Sequence, residues 1–266
     1  MATAEPASAS GDAPRVTAPS RRQLGIEIAI VLGVSYGISG LTSALDLLKS
    51  VATTSAPLSK QVAYAFYQPV DRHAWLDVMY QLLALGGDLV PVALVAYLLV
   101  RSAESLATLG VDATRPAEDA RWGIGLALAV GAVGLGFRLA ANALGVNLQL
   151  SIGSTGHWWQ LAILVLQSAV TAIGEEIIVL GFVVHRLRRM DWSDHAAIVA
   201  SALVRGSYHL YQGFGGGVAN ALMGLVFGTV FVKRGRILPL VIAHFLIDAV
   251  ATVGYVELHS HFTWLH

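Results

Sequence analysis

The sequence predicts an all-α protein, a polytopic transmembrane helical bundle of about seven spans. Three observations predict it. The 266 residues are 55% hydrophobic and only 13% charged, with a mean hydropathy of +0.64, too apolar for an ordinary soluble domain. Apolar windows of roughly the 20 residues that cross a bilayer recur along the chain. Lysines and arginines fall alternately in the loops between them, heavily on one side and sparsely on the other.

Residues 1–22 are rich in Ala, Ser, Pro and Gly and lack the apolar region of a signal peptide, which predicts a disordered cytoplasmic tail ending at Arg21 and Arg22. Windows at 24–48, 76–100 and 123–146 supply the N-terminal transmembrane helices within residues 23–157. Windows at 158–187, 195–212, 217–233 and 237–254 supply a second group, residues 158–254, followed by a tail at 255–266. The fifth and sixth windows are short and joined by Gln212, Gly213, Phe214, Gly215 and Gly216, a glycine-rich turn also compatible with a re-entrant hairpin. Trp75, Trp158, Trp159, Trp192 and Trp264 stand near window ends, where interfacial aromatics belong.

Twelve basic residues share one side: Arg15, Arg21, Arg22, Arg101, Arg115, Arg121, Arg186, Arg188, Arg189, Lys233, Arg234 and Arg236. Lys49, Lys60 and Arg72 share the other. This predicts an integral membrane protein of the plasma (inner) membrane with its N-terminus cytoplasmic and its C-terminus outside. The formal net charge is zero, so nothing points to a nucleic-acid partner, and the partners predicted are the lipid bilayer and a substrate within it. Without cysteine there is no disulfide, thiolate nucleophile or cysteine-bound metal.

Ionisable groups at membrane depth cost a few kcal/mol each and persist where they pair or do chemistry. Asp88 and Arg138 in the early windows read as a structural pair, with Asp46 as another partner for Arg138. The last four windows are richer. Glu175 and Glu176 are adjacent, so about 100° of helix separates them and only one can face inward. Gln167, Thr171 and Glu175 form a polar stripe at i, i+4 and i+8, which favours Glu175. Arg205 stands four residues before His209, with Glu176 or Asp248 as its counter-ion, and His244 stands four before Asp248.

A dehydrated pocket holding Glu, two His and Asp is suited to activating water, with a buried glutamate as general base. Attack on an amide then needs oxyanion donors already in place, a task open to His244. The same residues suit other roles. Glu175, His209, His244 and Asp248 are candidate ligands for zinc in a zinc-dependent membrane protease, against a first expectation of no cofactor. A non-enzymatic immunity or scaffold protein, or a proton-coupled transporter, also buries such groups.

The pattern also resembles a family. Glu175-Glu176 ahead of a glycine, Tyr208-His209, and His244 followed by Asp248 on the last span are similar to the three motifs of the CPBP intramembrane proteases, the CAAX-protease or Abi family, over residues 158–254. The resemblance implies a membrane-embedded endopeptidase acting on a peptide or membrane-protein substrate through a glutamate-activated, metal-independent water. It implies that Glu175 is the base, with Glu176 beside it, His209 its partner, and His244 with Asp248 the oxyanion-side pair. Two positions depart from the motifs: Leu180 stands where an arginine is usual, and Arg205 where a phenylalanine is usual. Arg205 is expected to replace the missing charge from the neighbouring helix.

Overall fold

The computed structural model describes residues 19–65, 67–153 and 156–258. Most of the expected N-terminal tail, with Arg15, and the end of the C-terminal tail, with Trp264, lie outside the described residues. Ordered helix begins earlier than expected, because Ser20 and Gln23 form a capping box at the start of α1 (Arg21–Gly33).

The first window is broken. α1 is followed by α2 (Tyr36–Ala52) at a bend of 53°, and Gly37 lies so close to the Leu32 carbonyl that a Cβ there would collide with it. α3 (Ala74–Arg101) and α4 (Pro116–Ala143) fill the next two windows. α5 (Trp159–Gly174) runs without a break through a π-helical segment, Glu175–Phe182, into α6 (Val183–Arg189). α7 (Asp194–Tyr208) ends in a 3₁₀ turn, Leu210–Gln212, before α8 (Phe214–Arg234) and α9 (Leu238–Leu258).

Five of these are long and apolar enough to cross a membrane: α3, α4, α5 with α6, α8 and α9. The bent pair α1–α2 makes a sixth if counted as one span. α7, with 15 residues, is shorter than the roughly 20 that a full crossing needs. The chain is an integral membrane helical bundle, and large apolar side chains such as Leu83, Val90, Leu128 and Val133 stand exposed on α3 and α4, where lipid covers them.

Two loops at one end of the bundle add a parallel strand pair that hydrophobic periodicity does not reveal, β1 (Val62–Tyr64) with β2 (Gln149–Ser151). Three residues are too few to show an alternating pattern. Nearby, buried Tyr67 donates a hydrogen bond to Asp77, fastening the same loop to α3.

The π-helical segment lies at the centre of the core, with Ile178, Val179, Leu180 and Phe182 fully or almost fully buried. α7 and α8 close tightly on each other through small residues: Gly206 faces the Gly217 carbonyl and Ala221, while Gly224 faces Ala202. α2 packs on α7, and α9 is held between α4 and α5. At the opposite end from β1 and β2, buried Arg186 binds Glu104 at 2.6 Å and Glu27 at 3.0 Å, drawing α1, α6 and the loop after α3 together.

The expected Arg138 pair does not form. Among the described residues Arg138 has no ion pair with Asp88 or Asp46, because α4 packs on α8 and α9 while α3 packs on α5.

Candidate active site

The two adjacent glutamates are both buried, with Glu175 3% and Glu176 0% exposed. The α-helical spacing allowed only one inward; they instead begin a π-helical segment, whose wider turn changes the angles at which successive side chains leave the axis. A π-helix also displaces carbonyls from their usual partners, and Ser201 of α7 donates its hydroxyl to the Val179 carbonyl at 2.6 Å.

The two carboxylates have different neighbours. Glu176 accepts a hydrogen bond from Arg205 Nη2, so Glu176 rather than Asp248 is the counter-ion of that guanidinium. Its same oxygen, Oε1, lies 2.8 Å from His244 Nδ1. Glu175 lies 3.8 Å from Arg205 and receives a hydrogen bond from the Tyr208 hydroxyl at 2.8 Å through Oε2. Its other oxygen, Oε1, stands 4.0 Å from His209 Nε2.

Arg205 and His209 are joined through the end of α7 rather than by stacking alone. His209 is the C-cap residue, and its Nδ1 donates to the Arg205 carbonyl at 3.0 Å. That bond fixes the neutral tautomer, leaving Nε2 as the acceptor that faces Glu175. His244 bridges two acids: Nδ1 meets Glu176 and Nε2 meets Asp248 at 3.3 Å, one helical turn along α9. A ring nitrogen on each carboxyl requires a proton in each contact, so the trio Glu176, His244 and Asp248 holds at least two protons.

Five expected site residues, Glu175, Glu176, Arg205, His209 and His244, thus converge from the π-helical segment, α7 and α9, and Asp248 joins them through His244. The four candidate zinc ligands do not converge in the same way. Among the described residues no three His, Asp or Glu groups gather as a metal ion requires.

Sequence reasoning missed two groups. The sequence marks Tyr208 only as part of a motif, yet its hydroxyl holds Glu175. Tyr36 of α2 packs its ring at a tilt of 37° against that of Tyr208 with centroids 4.8 Å apart, and its hydroxyl fills the space over Gly174 where a side chain would stand. Only tertiary packing reveals it, since nothing in the α2 sequence marks Tyr36 as polar machinery. Arg205 Nη1 and Glu176 Oε2 are buried without a hydrogen-bond partner among the described residues.

A model of the family described as Rce1-like, type II CAAX prenyl endopeptidase Rce1-like, matches residues 157–250. That range takes in the π-helical segment, α7, α8 and most of α9, and so all of the convergent side chains. No curated protein and no solved structure matches.

Proposed function

We propose, from the premise that residues 157–250 belong to the Rce1-like type II CAAX prenyl endopeptidases of the CPBP family, that this chain hydrolyses a peptide bond within the membrane with a water activated by Glu175. The family is one of membrane proteases, and the assignment of the base is our reading.

One observation carries it: Glu175 Oε1 and the acceptor nitrogen of His209 face each other across 4.0 Å. A water molecule bridges groups at such a distance with hydrogen bonds to both. Arg205 and His244 both bind Oε1 of Glu176 and tie that carboxylate into their ion-pair network, whereas Oε1 of Glu175 is the carboxylate oxygen that faces His209. Tyr208, donating to Oε2, keeps that carboxylate oriented while Oε1 takes the proton of the attacking water. Arg205 balances the charge of the neighbouring Glu176. His244 is the donor on the oxyanion side: its 3.3 Å contact with Asp248 is the longer of its two and is the one to give way to the developing oxyanion. The proton on Glu175 then passes to the leaving amine.

The test is cleavage of a diverse peptide library, with and without a prenylated cysteine, by the purified full-length protein. Wild type, Glu175→Gln and His209→Ala are compared with and without a chelator. We expect cleavage by wild type that survives chelation and falls by about 10³-fold or more in Glu175→Gln, the scale on which loss of a general base is felt. Loss of cleavage on chelation moves the reading to a metal-dependent protease. A well-folded Glu175→Gln protein that still turns over at the wild-type rate removes Glu175 from the mechanism.

A further inference from the structure

Asp88 stands near the middle of α3, and among the described residues it makes no hydrogen bond or ion pair. A carboxylate at that depth costs about 3 kcal/mol on insertion scales and persists where a cation or a donor meets it. Its place on the helix matters. Asp77, Gln81, Leu85, Val95 and Leu99 recur at helical spacing, are all buried, and mark the stripe that α3 turns to the bundle. Asp88 lies on that stripe, three residues after Leu85 and seven before Val95, yet it is exposed, as are Gly86 and Gly87 beside it. The inward face of α3 is therefore open at this level.

The register of α3 on α5 and α6 shows which level this is. The Gln167 amide donates to Gln81 Oε1 at 3.4 Å, and Arg186 Nη2 donates to the Leu98 carbonyl at 3.2 Å, pairs 86 and 88 positions apart in the chain. Between these pairs Asp88 falls level with residues 174–176, the turn that carries Glu175 and Glu176. Tyr36 joins the two sides: its hydroxyl lies over Gly174, and it is in electrostatic range of both Asp88 and Glu175. Pro91, within the same helix, has no N–H to give to the Gly87 carbonyl, so a second acceptor stands beside the carboxylate. A Cβ on Gly86 or Gly87 would meet nothing within 4 Å, which leaves the approach clear.

The protein's own cations are placed elsewhere: Arg205 binds Glu176, and Arg138 stands on α4, which packs on α8 and α9. A carboxylate and a free carbonyl level with Glu175 make this opening electronegative, which favours a cationic side chain over an apolar one. Packed helices lie about 8–10 Å apart, so a lysine or arginine next to a scissile bond held at Glu175 reaches α3.

We infer that Asp88, with the Gly87 carbonyl beside it, forms a subsite for a lysine or arginine of the peptide substrate close to the scissile bond. The inference rests on the endopeptidase reading above. It makes Asp88 a specificity-determining residue contributed by a helix outside residues 157–250.

The test takes a peptide identified in the library assay and replaces the residues flanking the cut, one at a time, by lysine and by methionine, which is similar in length but uncharged. At one position wild type is expected to prefer lysine by about tenfold or more in kcat/KM, carried by KM, the scale of a charge-assisted hydrogen bond. Asp88→Asn should bring that preference below about twofold, and Asp88→Glu should keep part of it. Asp88→Lys should favour glutamate over lysine at the same position. Equal cleavage of the lysine and methionine peptides at every position by wild type overturns the inference without any variant being made. A preference that survives in Asp88→Asn, with both peptides slowed alike or not at all, also overturns it and assigns the selection to the buried glutamates. If cleavage depends on Glu175 but is blind to substrate charge, only the Asp88 inference falls; if wild type cleaves no peptide, the endopeptidase reading falls and takes this inference with it.

Discussion

Arg205 is the residue on which the site's electrostatics turn. It is 1% exposed, contacts Glu176 directly, approaches Glu175 to 3.8 Å, and lies over the ring of Phe227 at 5.8 Å. A buried carboxylate that loses its cation costs several kcal/mol, more than the net worth of the pair, because the remaining charge has no solvent to turn to. Arg205→Phe is therefore expected to destabilise the fold by about 3 kcal/mol or more and to abolish cleavage. The motif that this stretch resembles carries its arginine where this chain has Leu180, itself buried one helix away. Adding Leu180→Arg to Arg205→Phe is expected to recover part of the melting temperature and of the activity. If the double variant is no better than Arg205→Phe, the exchange of one arginine for the other is not what these two departures mean. The presence of these charged residues was legible in the sequence because charge is rare at membrane depth. Which partner each would take was not, since Arg205 had two carboxylates within plausible reach and only packing chose Glu176.

The α7–α8 pair sets the position of Arg205 and His209, and its closeness depends on residues without side chains. A Cβ on Gly206 would stand 2.9 Å from the Gly217 carbonyl oxygen and 3.0 Å from Ala221 Cβ. Both are fixed to backbone, so the helices must part to admit it. Alanine gains about 1 kcal/mol of helix propensity over glycine, while overpacking costs about 1–3 kcal/mol, so Gly206→Ala is expected to be net destabilising. Because Gly206 follows Arg205 directly, the same shift should lower kcat with a smaller change in KM; a variant with unaltered melting and kinetics would mean that the seam has slack. This seam was visible in the sequence only as scattered glycines. The π-helical segment was not visible at all, because the spacing argument for Glu175 and Glu176 assumed an α-helix throughout. Its cause is tertiary: Ser201 takes up a displaced carbonyl, and both glutamates find partners on other helices.

At the scale of the whole molecule, the basic end of the bundle is tied by ion pairs. Outside the spans, burial raises the Glu104 carboxyl, but the hydrogen bonds and charges of His185 and Arg186 outweigh this and hold it below the usual carboxylate range. A group depressed in the folded state stabilises above its unfolded value, about 4.3, and loses that contribution as pH falls through its folded value. The melting temperature in detergent should thus fall between pH 5 and pH 3 more steeply in wild type than in Glu104→Gln, which has no proton to gain. Parallel curves would show that other carboxylates govern acid stability.

The same ion pairs sharpen the question of orientation. Arg21 pairs with Asp191, Arg188 with Asp194, Arg234 with Glu118, and Arg236 with Asp112 and Asp119, so much of the positive charge at this end is neutralised in the folded protein. If net charge set topology, the bias would be weak. The rule counts lysines and arginines near span ends and gives acidic residues little weight, so twelve against three still predicts a cytoplasmic position for this end. The chain has no cysteine, which makes a clean measurement available: each introduced thiol is the only one. His195 is exposed beside the basic end, and Ser55 is exposed after α2, at the opposite end of the bundle. In intact cells a membrane-impermeant maleimide is expected to label Ser55→Cys at once and His195→Cys only after permeabilisation. The reverse pattern would place Glu104 and the Arg186 cluster outside, and the alternation of basic loops would then be a product of the ion pairs and not of insertion.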